Sequence, residues 1–358
     1  MDHYRMKVMK AAVLYELNAP LRIEEVRVPE PGYGQVLTRM AASGICHTQL
    51  LEICGQRGRD PYLPHLLGHE GAGVVEAVGP GVSRVNVGDH VVLSWIAGPG
   101  VNAAPPTYFK DHQPINAGAL TTFQEYTLAS ENRVTPIPKD MPLDMAALLG
   151  CAVATGAGAV LNTANVNPGS SVVVYGAGGI GLFSLQAAAW MSATPIIAVD
   201  VRDEKLERAR SMGATHTVHA RKDDPVQAIL DLTGGRGADY AIEAVGLQET
   251  MEQAFLSVRN GGGMAVLVGN LPRGMTIRID PFALICGKQI VGSWGGNTRP
   301  ERDFRRYVEL YLAGKLRLDE MITHRFGLGE IDSAFEALER GEVGRAIIEF
   351  AGEDTWRG

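Results

Sequence analysis

Cys46, His69 and Cys151 are the residues whose types could do chemistry together. Cys46 sits in GICHT, His69 follows 23 residues later in GHEGAG, and Cys151 sits in GCAVATG. Two thiolates and an imidazole are the ligand set of a zinc that keeps its fourth position open. Taken singly, each has a plainer reading as a small buried hydrophobe or a satisfied core imidazole. A second pattern supports the joint reading. Val172-Val-Val-Tyr-Gly-Ala-Gly-Gly-Ile-Gly181 is an apolar run entering GxGxxG. Gly176 permits a tight turn, Gly178 lets a pyrophosphate approach the backbone, and Gly181 allows close helix–strand packing. Gly179 and Ile180 open the next helix, whose free N–H groups and positive dipole end suit phosphates. Asp200 closes the following apolar run 19 residues after Gly181. A carboxylate there accepts from the adenosine ribose hydroxyls and repels a 2′-phosphate, which favours NAD over NADP. Lys205 is placed to reach the same ribose, or equally to be a solvated lysine on a helix face. A metal that polarises an alcohol oxygen, followed by a dinucleotide site, points to hydride transfer at the alcohol carbon. Trp95 and Trp294 are candidates to line the substrate pocket, or equally to be core aromatics.

The elements that must position these groups fall into two textures. Up to about residue 150, short strands are punctuated by Gly and Pro: Lys10–Leu14, Gln35–Ala42, Gly73–Val78 and His90–Leu93. They predict an irregular antiparallel barrel. From Ser171 strands alternate with helices, which predicts a parallel doubly wound sheet. The helices are expected over Gly179–Trp190, Asp203–Met212 and near Pro225–Leu232. A helical tail follows Trp294, over Phe304–Leu312 and Ile331–Leu338. The expected division is 1–152 for a catalytic domain, 153–294 for the nucleotide domain and 295–358 for a return to the first. The late segment Met275–Ser293 carries β-branched runs that predict an edge strand needing cover.

Composition excludes several classes. A net charge of −7 argues against a nucleic-acid surface, which needs a basic patch. Four cysteines in 358 residues make no disulfide framework. The start, MDHYRMKVMK, has no apolar leader. Met145–Leu161 is uncharged but short of the roughly 20 residues of a spanning helix, and reads as a buried segment. The expectation is a cytoplasmic enzyme with a small-molecule substrate and no nucleic-acid or membrane partner.

The motifs GICHT, GHEGAGVVEAVGPGV, VGDHVV, LGCAVATG, VYGAGGIG, AVD and the closing VGRAIIEF carry a resemblance. The chain resembles the medium-chain zinc-dependent alcohol dehydrogenases nearly end to end. The resemblance implies a GroES-like β-rich catalytic domain plus a Rossmann domain, and a homodimer or homotetramer. It puts the ligand roles on Cys46, His69 and Cys151, and a second-shell acid beside the metal on Glu70. It puts the hydroxyl that starts proton removal on Thr48. His47 and Arg345 fall on groups near the cofactor pyrophosphate, and Thr155 on a residue near the nicotinamide.

Three departures from the family pattern matter. Trp95–Gly118, where many members hold a second zinc on four cysteines, contains no cysteine, so one zinc per chain is expected. Leu51 replaces a histidine that ends the proton relay in some members. Gln49 replaces an aspartate that supports the metal-bound histidine; its amide oxygen still accepts an N–H but brings no charge. The reading is a zinc- and NAD-dependent alcohol oxidoreductase. An alternative is an NAD(P)H-dependent reductase of an activated C=C or iminium bond, and a third reading is a non-catalytic nucleotide-binding protein. Retained Thr48 speaks for the first.

Overall fold

Short β-branched runs separated by Gly and Pro cannot sustain helices, and in the first part of the chain they pair into sheets. The computed structural model describes residues 7–350. The first six residues of the stretch read for a leader lie outside them. The chain divides into two compact units, 1–151 with 299–358, and 152–298.

In the first unit Val8–Leu14, Arg22–Arg27, Thr107–Lys110, Gln113–Asn116 and His65–Leu66 close a barrel. A second sheet runs in the order Val134–Ile137, His90–Ser94, Glu70–Val78, Gln35–Gly44, Arg345–Glu349 and Ile322–Gly327, with Tyr126–Ser130 also pairing on Gln35–Gly44. Alternating residues of these strands build a core around Val36, Met40, Val91, Phe123 and Ile348. Phe335, on the helix Ile331–Glu339, closes it edge-on against Phe123, with ring centroids 5.9 Å apart.

The second unit is a parallel sheet of six strands in the order His216–His219, Ile196–Asp200, Val172–Tyr175, Tyr240–Glu243, Met264–Leu267 and Gln289–Gly292. This is the doubly wound order in which ligands bind beyond the carboxyl ends of the strands. Val172–Tyr175 is buried throughout because helices cover both faces. The helix Pro225–Leu232 starts where its sequence says: Asp224 accepts from the N–H groups of Val226 and Gln227, with Pro225 at the first helical position. Small residues let Ala152–Gly158 pack closely on Gly179–Trp190, and the Ser184 hydroxyl donates to the Gly156 carbonyl at 2.9 Å.

One expectation changes. Met275–Ser293 is not a continuous strand. Pro281–Ile285 is a helix capped by Asp280, and only Gln289–Gly292 forms the edge. Phe282 and Ile285 on that helix are exposed at 65% and 79%. No single helix among the described residues is long and apolar enough to cross a membrane, and residues 145–160 are buried.

Candidate active site

Three segments far apart in sequence meet in the first unit. Cys46 is the N-cap of the helix His47–Ile53, in an extended conformation. His69 ends the turn before Glu70–Val78. Cys151 follows the short 3₁₀ turn Ala147–Gly150. The end of one strand, His90–Ser94, fixes both distant ligands. The Ser94 hydroxyl donates to the Gly150 carbonyl at 2.5 Å, and the Trp95 N–H donates to the His69 carbonyl at 3.0 Å. Gly150 is needed for this approach, since a Cβ there would lie 2.3 Å from the Leu93 carbonyl oxygen. The ligand atoms of Cys46, His69 and Cys151 then lie within 4.8 Å of one another, with His69 Nε2 3.2 Å from Cys151 Sγ.

The surroundings are charged and dry. Glu70 is fully buried and accepts a hydrogen bond from Arg345 Nη2, itself 7% exposed. Burial works against the Arg345 charge, but Glu70 and the two cysteines outweigh it and hold the guanidinium above its ordinary range. A hydrogen bond from Cys151 holds the Cys46 thiol well below the usual range, while the same contact and burial push Cys151 up. Burial opposes a charged His69, yet the Cys46 thiolate overcomes it and lifts the imidazole. Cys46 and His69 thus favour one another's charged forms, beside the paired Glu70 and Arg345. A divalent cation fits this donor set. It replaces protons, and a coordinated thiol is deprotonated outright.

Gln49 is fully buried. Its Oε1 accepts from the Cys46 N–H at 3.0 Å, and its Nε2 meets His69 Nδ1. It ties two of the three ligand segments together. The pattern Cys-x-x-Gln at a helix start is a capping-box spacing, and that signal was available in the sequence. Thr48 is half-buried on the first turn, with its Oγ1 3.8 Å from Cys46 Sγ. His47 is exposed. Arg345, expected by resemblance near a pyrophosphate, is set on Glu70.

The glycine turn lies in the second unit. Gly178 caps Gly179–Trp190, and Gly178, Gly179 and Ile180 are partly open. A Cβ at Gly181 would lie 1.7 Å from the Gly176 carbonyl oxygen, whereas one at Gly178 would meet nothing within 4 Å. That open space over a helix N-terminus fits a pyrophosphate. Asp200 sits where the second strand ends. Its Oδ2 accepts from the Ala177 N–H at 2.8 Å, and its Oδ1 from Val201 and Arg202. The sequence reading missed this bracing of the glycine turn. Lys205 is half-buried on Asp203–Ser211, and Thr155 is buried on Ala152–Gly158.

Residues 32–139 match the alcohol dehydrogenase GroES-like domain, and residues 179–313 match the zinc-binding dehydrogenase family. The chain is 35% identical to an S-(hydroxymethyl)glutathione dehydrogenase of Paracoccus denitrificans, over 95% of this chain and 99% of that one. The chain belongs to the zinc-dependent alcohol dehydrogenase family. Its fold is similar to that of benzyl alcohol dehydrogenase from Acinetobacter calcoaceticus, with a TM-score of 0.89 and 33% identity over 97% of this chain and all of the other. A zinc-binding dehydrogenase from Sinorhizobium meliloti bound to NADP matches with a TM-score of 0.81 and 26% identity, over 96% of this chain and all of that one.

In this dehydrogenase the segment Trp95–Gly118 is organised by side chains from its neighbours. Thr107–Lys110 and Gln113–Asn116 form a hairpin. Glu131 accepts from the N–H groups of Ser83, Arg84 and Val101, and the Ser130 hydroxyl donates to the Val101 carbonyl at 2.6 Å. Neither Trp95 nor Trp294 lines the cavity beside His69, and Trp294 is 75% exposed.

Proposed function

We propose that the protein oxidises a small alcohol, or reduces its carbonyl partner, at a zinc held by Cys46, His69 and Cys151 with NAD as hydride partner. The observation that carries this reading is the convergence of two thiols and an imidazole to within 4.8 Å. When bound, zinc supplies Lewis acidity at the substrate oxygen and NAD supplies the hydride acceptor. With three protein ligands, a bound zinc would keep a position open for substrate. Glu70 adds negative charge behind the ligands, and Arg345 neutralises it. Thr48, beside Cys46, accepts the alcohol proton as it gives up its own. Leu51 offers no further acceptor, so the proton leaves through exposed His47 or solvent.

For the nucleotide, the turn Gly176–Gly181 holds the pyrophosphate, with Lys205 at the ribose and Thr155 beside the nicotinamide. A carboxylate has about four lone-pair positions. Asp200 uses three on backbone N–H groups, which leaves one for a ribose hydroxyl and keeps a negative charge that disfavours NADP. The reading includes a cytoplasmic homodimer. The thiols must stay reduced to bind metal. The edge strand Gln289–Gly292 and the exposed Phe282 and Ile285 need cover.

Metal analysis, light scattering and an NADH absorbance assay on primary, secondary and cyclic alcohols test this. About one zinc per chain, dimers and zinc-dependent NAD reduction are expected. Zinc-loaded protein that turns over no alcohol would overturn the reading.

A further inference from the structure

Cys46 and His69 are braced by their own surroundings. The Gln49 amide accepts from the Cys46 N–H. Beside His69, the Leu67 carbonyl accepts from the N–H groups of Thr122 and Phe123, and the Ser43 hydroxyl donates to the Glu70 carbonyl at 2.9 Å. Cys151 is placed differently. It follows the 3₁₀ turn Ala147–Gly150 with φ −143° and ψ −61°, neither helical nor extended, so no backbone repeat dictates where its thiol lies. The Gly150 carbonyl ends that turn and is of the kind a helix end leaves without an internal partner. The Ser94 hydroxyl supplies the donor, at 2.5 Å. Ser94 is 1% exposed and stands opposite Glu70 at the end of the strand His90–Ser94, after the apolar Val91, Val92 and Leu93. A hydroxyl buried there is costly unless it is bonded, and this one is bonded twice. It also accepts from the Ile96 N–H at 3.0 Å, which curls the chain so that the Trp95 N–H between them meets the His69 carbonyl. One hydroxyl thus links the turn that carries Cys151 to the segment that carries His69.

We propose that Ser94 is a positioning residue that delivers Cys151 to the metal site, a role that rests on metal binding at Cys46, His69 and Cys151. It acts through the Gly150 carbonyl. Without the hydroxyl that carbonyl loses its donor and the turn relaxes. Cys151 is then the ligand that moves, because Cys46 keeps Gln49 and His69 keeps the contacts at Leu67 and Glu70.

The test compares the full chain, wild type and Ser94→Ala, loaded with zinc and with cobalt. Cobalt reports the ligands, because each bound thiolate adds a sulfur-to-metal absorption. By chelator competition Ser94→Ala should bind zinc about 10-fold more weakly, the lower end for groups that orient metal ligands. Its cobalt absorption should lose much of one thiolate's share. Iodoacetamide should label Cys151 faster in the zinc-loaded variant than in the wild type and leave Cys46 labelling unchanged, with half-buried Cys54 and Cys286 as the reference. Thr233→Val makes the same kind of loss in the second unit, where the Thr233 hydroxyl donates to the Ile229 carbonyl at 2.7 Å and accepts from the Gly237 N–H at 3.1 Å. It should lower the unfolding midpoint and leave zinc affinity, the cobalt spectrum and Cys151 labelling as they were. A wild-type cobalt spectrum and zinc affinity in Ser94→Ala, or equal changes in Thr233→Val, would overturn the proposal while leaving the metal site standing. A wild type that binds neither metal would overturn both.

Discussion

The metal-ligand cluster and the glycine turn are built from different materials. Around Cys46, His69 and Cys151 the chemistry lies in side chains delivered by distant segments, and the charges are buried. Glu70 and Arg345 have almost no contact with water. At Gly176–Gly181 the chemistry lies in backbone N–H groups of one contiguous stretch that stays partly open. A buried side-chain cluster has few substitutes for any member, because each lost partner leaves a charge or donor stranded. A backbone turn keeps its N–H groups whatever side chain changes nearby. The first region should therefore fail abruptly and the second by degrees.

Cys46→Ala is the sharpest test. It should remove the zinc and lower kcat/KM by about 10⁴-fold, since Lewis-acid stabilisation amounts to several kcal/mol. Far-ultraviolet circular dichroism should change little. Retained zinc and activity would break the comparison at its first term.

Arg345→Ala should come next. It strands the fully buried Glu70 carboxylate, and breaking a buried pair costs about 3–5 kcal/mol. Denaturant unfolding reads the loss, and Glu70→Gln added to Arg345→Ala should recover part of it. An unchanged unfolding midpoint would mean that the pair carries no such weight.

Gln49 sharpens the contrast within the metal region. When His69 binds metal through Nε2, its Nδ1 carries the proton. Nδ1–H and the Cys46 N–H then both face one amide that has a single acceptor atom. Gln49→Glu offers an acceptor to each and should tighten zinc by roughly 10-fold, while Gln49→Ala should weaken it by about 10–100-fold. Chelator competition measures both, and equal affinities across the three proteins would remove Gln49 from the site's support.

At the glycine turn, Asp200→Asn keeps an acceptor oxygen and removes the charge. The kcat/KM ratio for NAD over NADP should fall by roughly 10-fold, the scale of one charged hydrogen bond. A ratio that does not move would show that Asp200 only braces the turn.

Glu131 gives the smallest expected effect. Burial works against its charge, but the N–H groups of Ser83, Val101 and Arg84 outweigh it and hold its carboxyl below the usual range. A depressed folded pKa contributes stability at neutral pH that is lost as pH falls through that value. The hold on Val101 should therefore loosen in acid, beginning below about pH 4.3. Glu131→Gln should speed amide exchange at Val101 by a few-fold at neutral pH and flatten the acid dependence.

The nucleotide region was legible because its signals are local. An apolar run, GxGxxG and an acid at a fixed spacing declare strand, turn, helix and strand end without reference to anything distant. The helix Gly179–Trp190 begins and ends where its sequence predicts. Met275–Ser293 misled because β-branched residues favour strands only weakly. Pro281 after a capping Asp280 starts a helix there instead.

The sequence by itself determined the two textures, the strand–helix alternation and the identity of the chemically able residues, because periodicity, turn residues and donor types act over a few positions. Only the tertiary structure decided that Gln49 ties Cys46 to His69, that Arg345 sits on Glu70, and that Asp200 braces the glycine turn. Each is a pairing of polar groups set by which strands lie side by side. Burial then makes the pairing obligatory for Gln49, Glu70 and Arg345, because an unpaired polar group away from water costs more than folding can spare.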